Sequence, residues 1–217
     1  MHFRVADLKA TWPRLLRAGV RPKSAPTYWT IDESMAAWDS QSWDLDGTLL
    51  DVYQMEGRPE IFPPLGRDLA TEVESVAIHV ESAERSRDFY QALGYSLFFD
   101  KTFEQLGEFL HLPAHVALRD INLYKLDRSP VGRIEIVELV GFPGRRVQPR
   151  ARPPNHGILS ISFVTRELDA IGEVLPRAGG EVTAGPYRTA APVFGEALAL
   201  SARGPDGEAL EFLQPLG

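Results

Sequence analysis

DGTLLDVYQ (46–54) and DGEALEFLQ (206–214) carry one pattern, D-G-x-x-L-acid-x-x-Q, with the acid supplied by Asp51 and by Glu211. The two stretches close a longer match at constant offset. Phe3, Leu8, Ala10, Leu15, Arg17, Ala18 and Gly19 meet Phe163, Leu168, Ala170, Leu175, Arg177, Ala178 and Gly179; Pro26 meets Pro186 and Ala37 meets Ala197. No gap is needed. Self-similarity at fixed spacing marks one supersecondary unit used more than once. Residues 1–57 and 161–217 are therefore read as two copies, the second preceded by NHGILSI (155–161), for which the first has no counterpart.

The unit reads as β-α-β-β-β. HGILSISFV has strand-like alternation, and TRELDAIGEVLPRAGG has helical spacing with a glycine stop. EALALSA is a short strand, GPDG a turn and EALEFLQ the last strand. Pro176 falls in the last turn of its helix, whereas Pro13 falls inside the helix of the other copy and predicts a short or kinked one. The middle of the chain follows the same order: VESVAIHVES, then a helix SAERSRDFYQALGY opened by Ser82 and closed by Gly94, then SLFFDKTF, INLYKLD and RIEIVELVG. Residues 74–141 are a third repeat, and 58–73 and 142–154 are Pro- and Arg-rich linkers.

Composition narrows the partners. The chain has 217 residues, 44% apolar and 24% charged, as in ordinary globular proteins. A net charge of −7 repels a phosphate backbone, so nucleic acid is not expected as a partner. The absence of cysteine removes disulfides, thiolate metal sites and a cysteine nucleophile. No apolar run reaches membrane-spanning length, and MHFRVADLKATWPRL lacks the apolar core of a signal peptide. The expectation is a cytoplasmic protein without a membrane partner. Nucleotide-binding, serine-hydrolase and zincin motifs do not occur.

VAIHVESAERSRDFYQALGY, with its strand-helix-FYxxxLG order, and the two DG…L[DE]xxQ endings resemble the vicinal oxygen chelate superfamily. That superfamily includes glyoxalase I, bleomycin resistance proteins and extradiol dioxygenases. The resemblance covers essentially the whole chain. It implies an α+β fold of tandem βαβββ units whose sheets pair into an open curved cleft. On this reading 74–217 makes one complete pair (74–141 with 155–217), and 1–57 is an orphan unit resembling the second half of another pair.

The resemblance also implies a place for chemistry. Metal-dependent members hold one divalent ion, here Fe, Mn, Ni or Zn, with ligands from the first and last strands of each unit, and leave positions open for substrate oxygens. Glu135 and Glu211 align with the acidic ligand and are the candidate catalytic groups; Asp51 holds the equivalent place in the orphan unit. The first strands depart from the pattern. The histidine position falls on Ser75, with His79 four residues on, and in the last unit on Leu159 or Ser160, with His156 just before. Four residues keep a side chain on one strand face but displace it by about 13 Å. Either His79, Glu135, His156 and Glu211 supply a metal site through shifted strands, or the site is metal-free.

Phe98, Phe103 and Tyr124, with Ser75, are the candidate ligand-binding residues, and the aromatics point to an apolar or aromatic small molecule. His111 and His115 are separated by Pro113, which favours a loop over a helical metal pair. The arginines of GRRVQPRARPP read as a solvated linker. The functions implied are a lyase, isomerase or dioxygenase acting on a ligand in the 74–217 cleft, or a metal-free binding or sequestering protein. The orphan unit's open sheet edge, and the concentration of all four tryptophans in 1–57, predict that this unit pairs with the same unit of a second chain, giving a homodimer, or docks on the 74–217 pair.

Overall fold

The computed structural model describes residues 1–66, 70–125, 129–191, 193 and 195–217. The first repeat consists of β1 (His2–Arg4), α1 (Leu8–Arg17), β2 (Arg21–Asp32), β3 (Met35–Trp43) and β4 (Leu49–Glu56). The middle repeat consists of β5 (Ser75–His79), α2 (Ala83–Ala92), β6 (Ser96–Phe103), the short α3 (Gly107–Leu110), β7 (Ala117–Tyr124) and β8 (Arg133–Val140). The third consists of β9 (Ile161–Val164), α4 (Leu168–Arg177), β10 (Glu181–Ala191), β11 (Gly195–Arg203) and β12 (Ala209–Pro215). The βαβββ order expected from the repeat is the order observed. The fold is the α+β arrangement of tandem units, with one sheet curled as a half-barrel.

The repeated nonapeptide has a local cause. Gly47 (φ +83°) and Gly207 (φ +87°) take the left-handed backbone that turns the chain into the last strand. At the other end the glutamine caps a helix of its own copy: Leu8 N–H donates to Gln54 Oε1 and Leu168 N–H to Gln214 Oε1, both at 3.0 Å. Each bond satisfies one of the donors that a helix start leaves unpaired. Asp7 adds a second cap on α1, accepting from Ala10 N–H at 2.9 Å. α1 continues as a helix through Pro13 to Arg17, longer than a proline break predicts. Leu8, fully buried, packs with Val5 and Val52, which fastens α1 to its sheet.

The pairing of repeats differs from the sequence expectation. β1 to β8 form one eight-stranded sheet in the order β2-β3-β4-β1-β5-β8-β7-β6, while β9 to β12 form a separate four-stranded sheet, β10-β11-β12-β9. Residues 1–57 are therefore not an orphan, and 74–141 shares its sheet with them and not with 155–217. The seam is antiparallel, with His2 opposite Ser75, and is extended by a bridge between Val5 and Ala70. In each of the three repeats the first strand lies parallel to the last, which follows from the crossover helix after its first strand.

Two compact units result. One comprises 1–79 and 96–143, the other 80–95 and 144–217. In the second unit α2 packs on the third repeat. Ser86 Oγ donates to Asp206 Oδ2 at 2.9 Å, Tyr90 Oη to Glu208 Oε1 at 3.0 Å, and Phe89 crowds Gly180 so closely that a Cβ there would lie 2.8 Å from its ring. The middle repeat is thus divided between the units, its strands in the first and its helix in the second.

Candidate functional site

Residues opposite one another in a ladder share a face of the sheet. In the first unit this brings Gln41, Asp51, His2, Ser75 and Arg133 onto one row across β3, β4, β1, β5 and β8. A neighbouring row carries Ala77, Glu135, Asn122 and Phe99 across β5, β8, β7 and β6. One end of this inner face is closed by an apolar cluster in which Ile61 and Phe62 of the 58–66 loop and Leu106 meet Met35, Ala37, Phe103, Leu118, Tyr124 and Val137. The rest of the face is polar and mostly buried.

The centre of the polar region is a histidine-glutamate pair. His2 Nδ1 lies 2.9 Å from Glu135 Oε2, with both side chains largely shielded. Burial alone lowers a histidine's proton affinity, but the charges of Glu135 and Asp51 and the Glu135 hydrogen bond outweigh it, so the His2 pKa is raised. For Glu135, burial works against ionisation and is outweighed by His2, Arg133 and Asn122; its pKa falls to about 2. His79, at the end of β5, keeps an exposed edge, yet the bulk around it lowers its imidazole below the ordinary value, offset in part by Glu135.

Around this pair the two halves of the sheet repeat one motif. Gln41 donates to Asp51 Oδ2 at 3.1 Å and accepts from Lys23 Nζ at 2.6 Å. Asn122 hydrogen-bonds Glu135 and accepts from Arg133 at 2.8 Å. Two residues before each amide stands a buried carboxyl, Asp39 or Asp120. Burial raises the pKa of both far above the ordinary carboxylate range, followed by the charge of Asp51 for Asp39 and of Glu135 for Asp120. Asp39 shares a hydrogen bond with Asp51, while its Oδ1 has no partner; the buried hydroxyl of Ser75 has none either.

A second network holds the seam. Glu74, fully buried, accepts from Arg4 Nε at 3.0 Å and from the Tyr53 hydroxyl, which accepts in turn from Arg133 at 2.9 Å. Phe62 lies against both guanidiniums, 5.8 Å from Arg4 and 5.2 Å from Arg133. One carboxylate between two arginines satisfies charges that would otherwise be costly to bury.

The residues expected from the sequence divide between the units. Glu135, His79 and Ser75 fall on the polar face of the first unit. Phe98, Phe103 and Tyr124 belong to its apolar cluster, with Phe98 stacked on Tyr124 at 4.6 Å. His156 and Glu211 belong to the second unit, where Glu211 accepts from Ser162 Oγ at 2.9 Å. Sequence reasoning missed His2, Asp39, Gln41, Asp120 and Asn122. A signal was present in WDSQSW (38–43) and RDINLY (119–124), which both place an acid and an amide on alternate positions of a strand. His111 ends α3 in a left-handed turn (φ 58°), in agreement with the loop reading.

The residues do not fit a resident divalent ion as they stand. Among the described residues no group of three or more His, Cys, Asp or Glu side chains is placed to hold one. His2 and Glu135 direct their facing atoms at each other, Asp51 is taken by Gln41 and Asp39, and the position beside Glu135 on β5 is Ala77.

The same architecture occurs in known structures. A glyoxalase family protein from Bacillus cereus superposes with a TM-score of 0.59 at 18% identity, over 70% of this chain and 99% of its own. Glyoxalase I from Zea mays superposes with a TM-score of 0.61 at 15% identity, over 99% of this chain and 67% of its own. A variant of the maize protein gives 0.66 at 16% identity, over 99% and 66%. The chain has the glyoxalase fold. It spans about two thirds of the length of the maize chains, and its strands form one eight-stranded sheet and one further four-stranded sheet. No family model matches the sequence and no curated protein matches it. No helix among the described residues is long and apolar enough to cross a membrane.

Proposed function

We propose that the inner face of the eight-stranded sheet binds a small organic molecule and moves a proton on it, in an isomerase- or lyase-type step. The observation that carries this reading is the 2.9 Å contact between His2 Nδ1 and Glu135 Oε2. A carboxylate that fixes one ring nitrogen leaves the other, Nε2, to act as acid or base. In such a step the C–H bond of a carbon acid breaks and its proton passes to Nε2. The electron pair moves toward the adjacent oxygen, to which the Ser75 hydroxyl, buried without a partner opposite His2, would donate. Glu135 stabilises the imidazolium. Return of the proton to a neighbouring carbon completes an isomerisation; departure of a β substituent completes an elimination. The apolar cluster of Phe62, Phe103 and Leu106 shields one side of the face from water.

The test is a panel of carbon acids (dicarbonyls, hydroxy ketones and acyl thioesters) incubated with the protein in heavy water, with deuterium incorporation read by NMR. His2→Gln and Glu135→Gln are expected to slow exchange by about 10²- to 10⁴-fold. Ligands that perturb the amides of Ser75 and Glu135 without any deuterium uptake would leave a binding protein without catalysis, and the acid-base step would be withdrawn.

A further inference from the structure

Lys23 brings to the inner face a charge without a counter-charge of its own. It projects from β2, where the ladder to β3 slips between Pro22 and Ser24, and donates to two neutral oxygens, Gln41 Oε1 at 2.6 Å and Leu110 O of α3 at 3.3 Å. An ammonium has three N–H groups, so one is left over. Lys23 forms no ion pair among the described residues; Asp51 is linked to it through Gln41, which donates to Asp51 Oδ2 at 3.1 Å. His79 lies on the same face, two positions beyond Ala77 on β5. Its ring makes no hydrogen bond among the described residues, and the charge of Lys23 works against its protonation. Unlike Asp39 and Ser75, both residues reach solvent, Lys23 partly and His79 more fully.

The other charges of this face are answered. Glu74 lies between Arg4 and Arg133, and Glu135 holds His2. Asp51 is bonded by Gln41 and shares a hydrogen bond with Asp39, and burial keeps Asp39 and Asp120 protonated. The cations His2, Lys23, Arg4 and Arg133 thus exceed the carboxylates Asp51, Glu74 and Glu135 by one. A cation half withdrawn from water has lost hydration that a ligand anion replaces with a charge-assisted hydrogen bond. An ammonium ligand would meet Lys23 with like charge. A phosphate dianion would bring two charges against a surplus of one, beside Asp51 and Glu135. A carboxylate brings one charge and two acceptor oxygens, one for the spare N–H of Lys23 and one for the N–H of His79. We propose that the inner face takes a small organic monocarboxylate, its carboxylate held by Lys23 on β2 and His79 on β5. The inference deepens the proton-transfer reading and rests on it, since it names the charge of that site's ligand. The third repeat has Thr183 where the first has Lys23, so the lysine is no requirement of the scaffold.

The experiment uses the full chain and four probes of similar shape: phenylacetate, the neutral phenylacetamide, the cation phenethylamine and phenyl phosphate. Affinity is measured by calorimetry and the site by amide NMR. Phenylacetate is expected to bind about 10- to 100-fold more tightly than phenylacetamide, with shifts at Lys23 and His79. Lys23→Met is expected to remove most of that preference while leaving phenylacetamide affinity within about twofold, and His79→Phe to reduce it less. Phenylacetamide or phenethylamine binding this face as well as phenylacetate overturns the anion selectivity, and tighter binding of phenyl phosphate overturns the single charge. Absence of phenylacetate shifts at Lys23 and His79 in the unmodified chain overturns the assignment. So does a carboxylate preference unchanged in both variants, each with a cooperative thermal transition. None of these outcomes bears on the proton-transfer reading, which stands or falls with deuterium uptake.

Discussion

The eight-stranded and four-stranded sheets are built from the same unit and differ in what their inner positions hold. Gly47 and Gly207 turn the chain alike, and Gln54 and Gln214 cap their helices with bonds of the same length. The acid of the last strand is also kept, as Asp51 and Glu211. Its surroundings are not. Asp51 lies beside His2 in register and bonds Gln41, whereas Glu211 lies beside Ser162 and opposite Ser201. Seam residues such as Glu74 and Arg133 likewise belong to the eight-stranded sheet. Scaffold positions are constrained by backbone geometry in every copy; site positions are constrained only where a closed face makes a charge network worth its desolvation cost.

Removing Glu74 is the strongest way to break this comparison. It leaves Arg4 and Arg133 buried against each other without their carboxylate, so Glu74→Ala is expected to cost about 3–5 kcal/mol in denaturant unfolding. Glu211→Ala, whose partner is one hydroxyl at an exposed bond, is expected to cost less than about 1 kcal/mol. Equal losses would mean that the two sheets rely on their acids equally.

Asp39 gives an intermediate effect with a defined sign. Its folded-state pKa is raised well above 3.8, so above that value the native state holds a proton that the unfolded chain has released. Stability then falls as pH rises from about 4 toward the raised pKa, because the unfolded state binds fewer protons. Asp39→Asn removes this loss and is expected to raise stability at pH 8 relative to wild type by about 1 kcal/mol or more, with little change near pH 4. Melting curves across that range decide it; parallel pH profiles for the two proteins would contradict a buried, protonated Asp39.

The smallest effect tests the likeness. Gln54→Ala and Gln214→Ala each remove one acceptor at a helix start and are expected to cost about 0.5–2 kcal/mol, equal within error. Markedly unequal costs would show that the shared nonapeptide is tied to its surroundings and not only to its own helix.

Much of the fold was legible. The offset repeat, the glycine stops and the serine cap of α2 located the three units, because those signals act within a few residues of the chain. The pairing of units was misread: 74–141 appeared contiguous with 155–217, but β1 and β5 meet edge to edge, and α2 alone of the middle repeat joins the second unit. The site was legible in part. Glu135, His79 and Ser75, singled out from their place in the unit, lie on the polar face of the first unit. His2 was missed because its partner lies in another repeat, and Asp39 and Asp120 because an acid in a strand looks solvent-facing until its face is known.

The sequence by itself determined the βαβββ unit, its turns and its helix caps, since a left-handed glycine or a capping glutamine acts on its own copy. Only the tertiary structure decided which two copies share a sheet, and with that the union of His2 with Glu135 on a buried face. The physical reason is that an open strand edge offers the same N–H and C=O groups to any partner. Which edge it meets is settled by side chains far apart in sequence, here Arg4 and Arg133 meeting at Glu74.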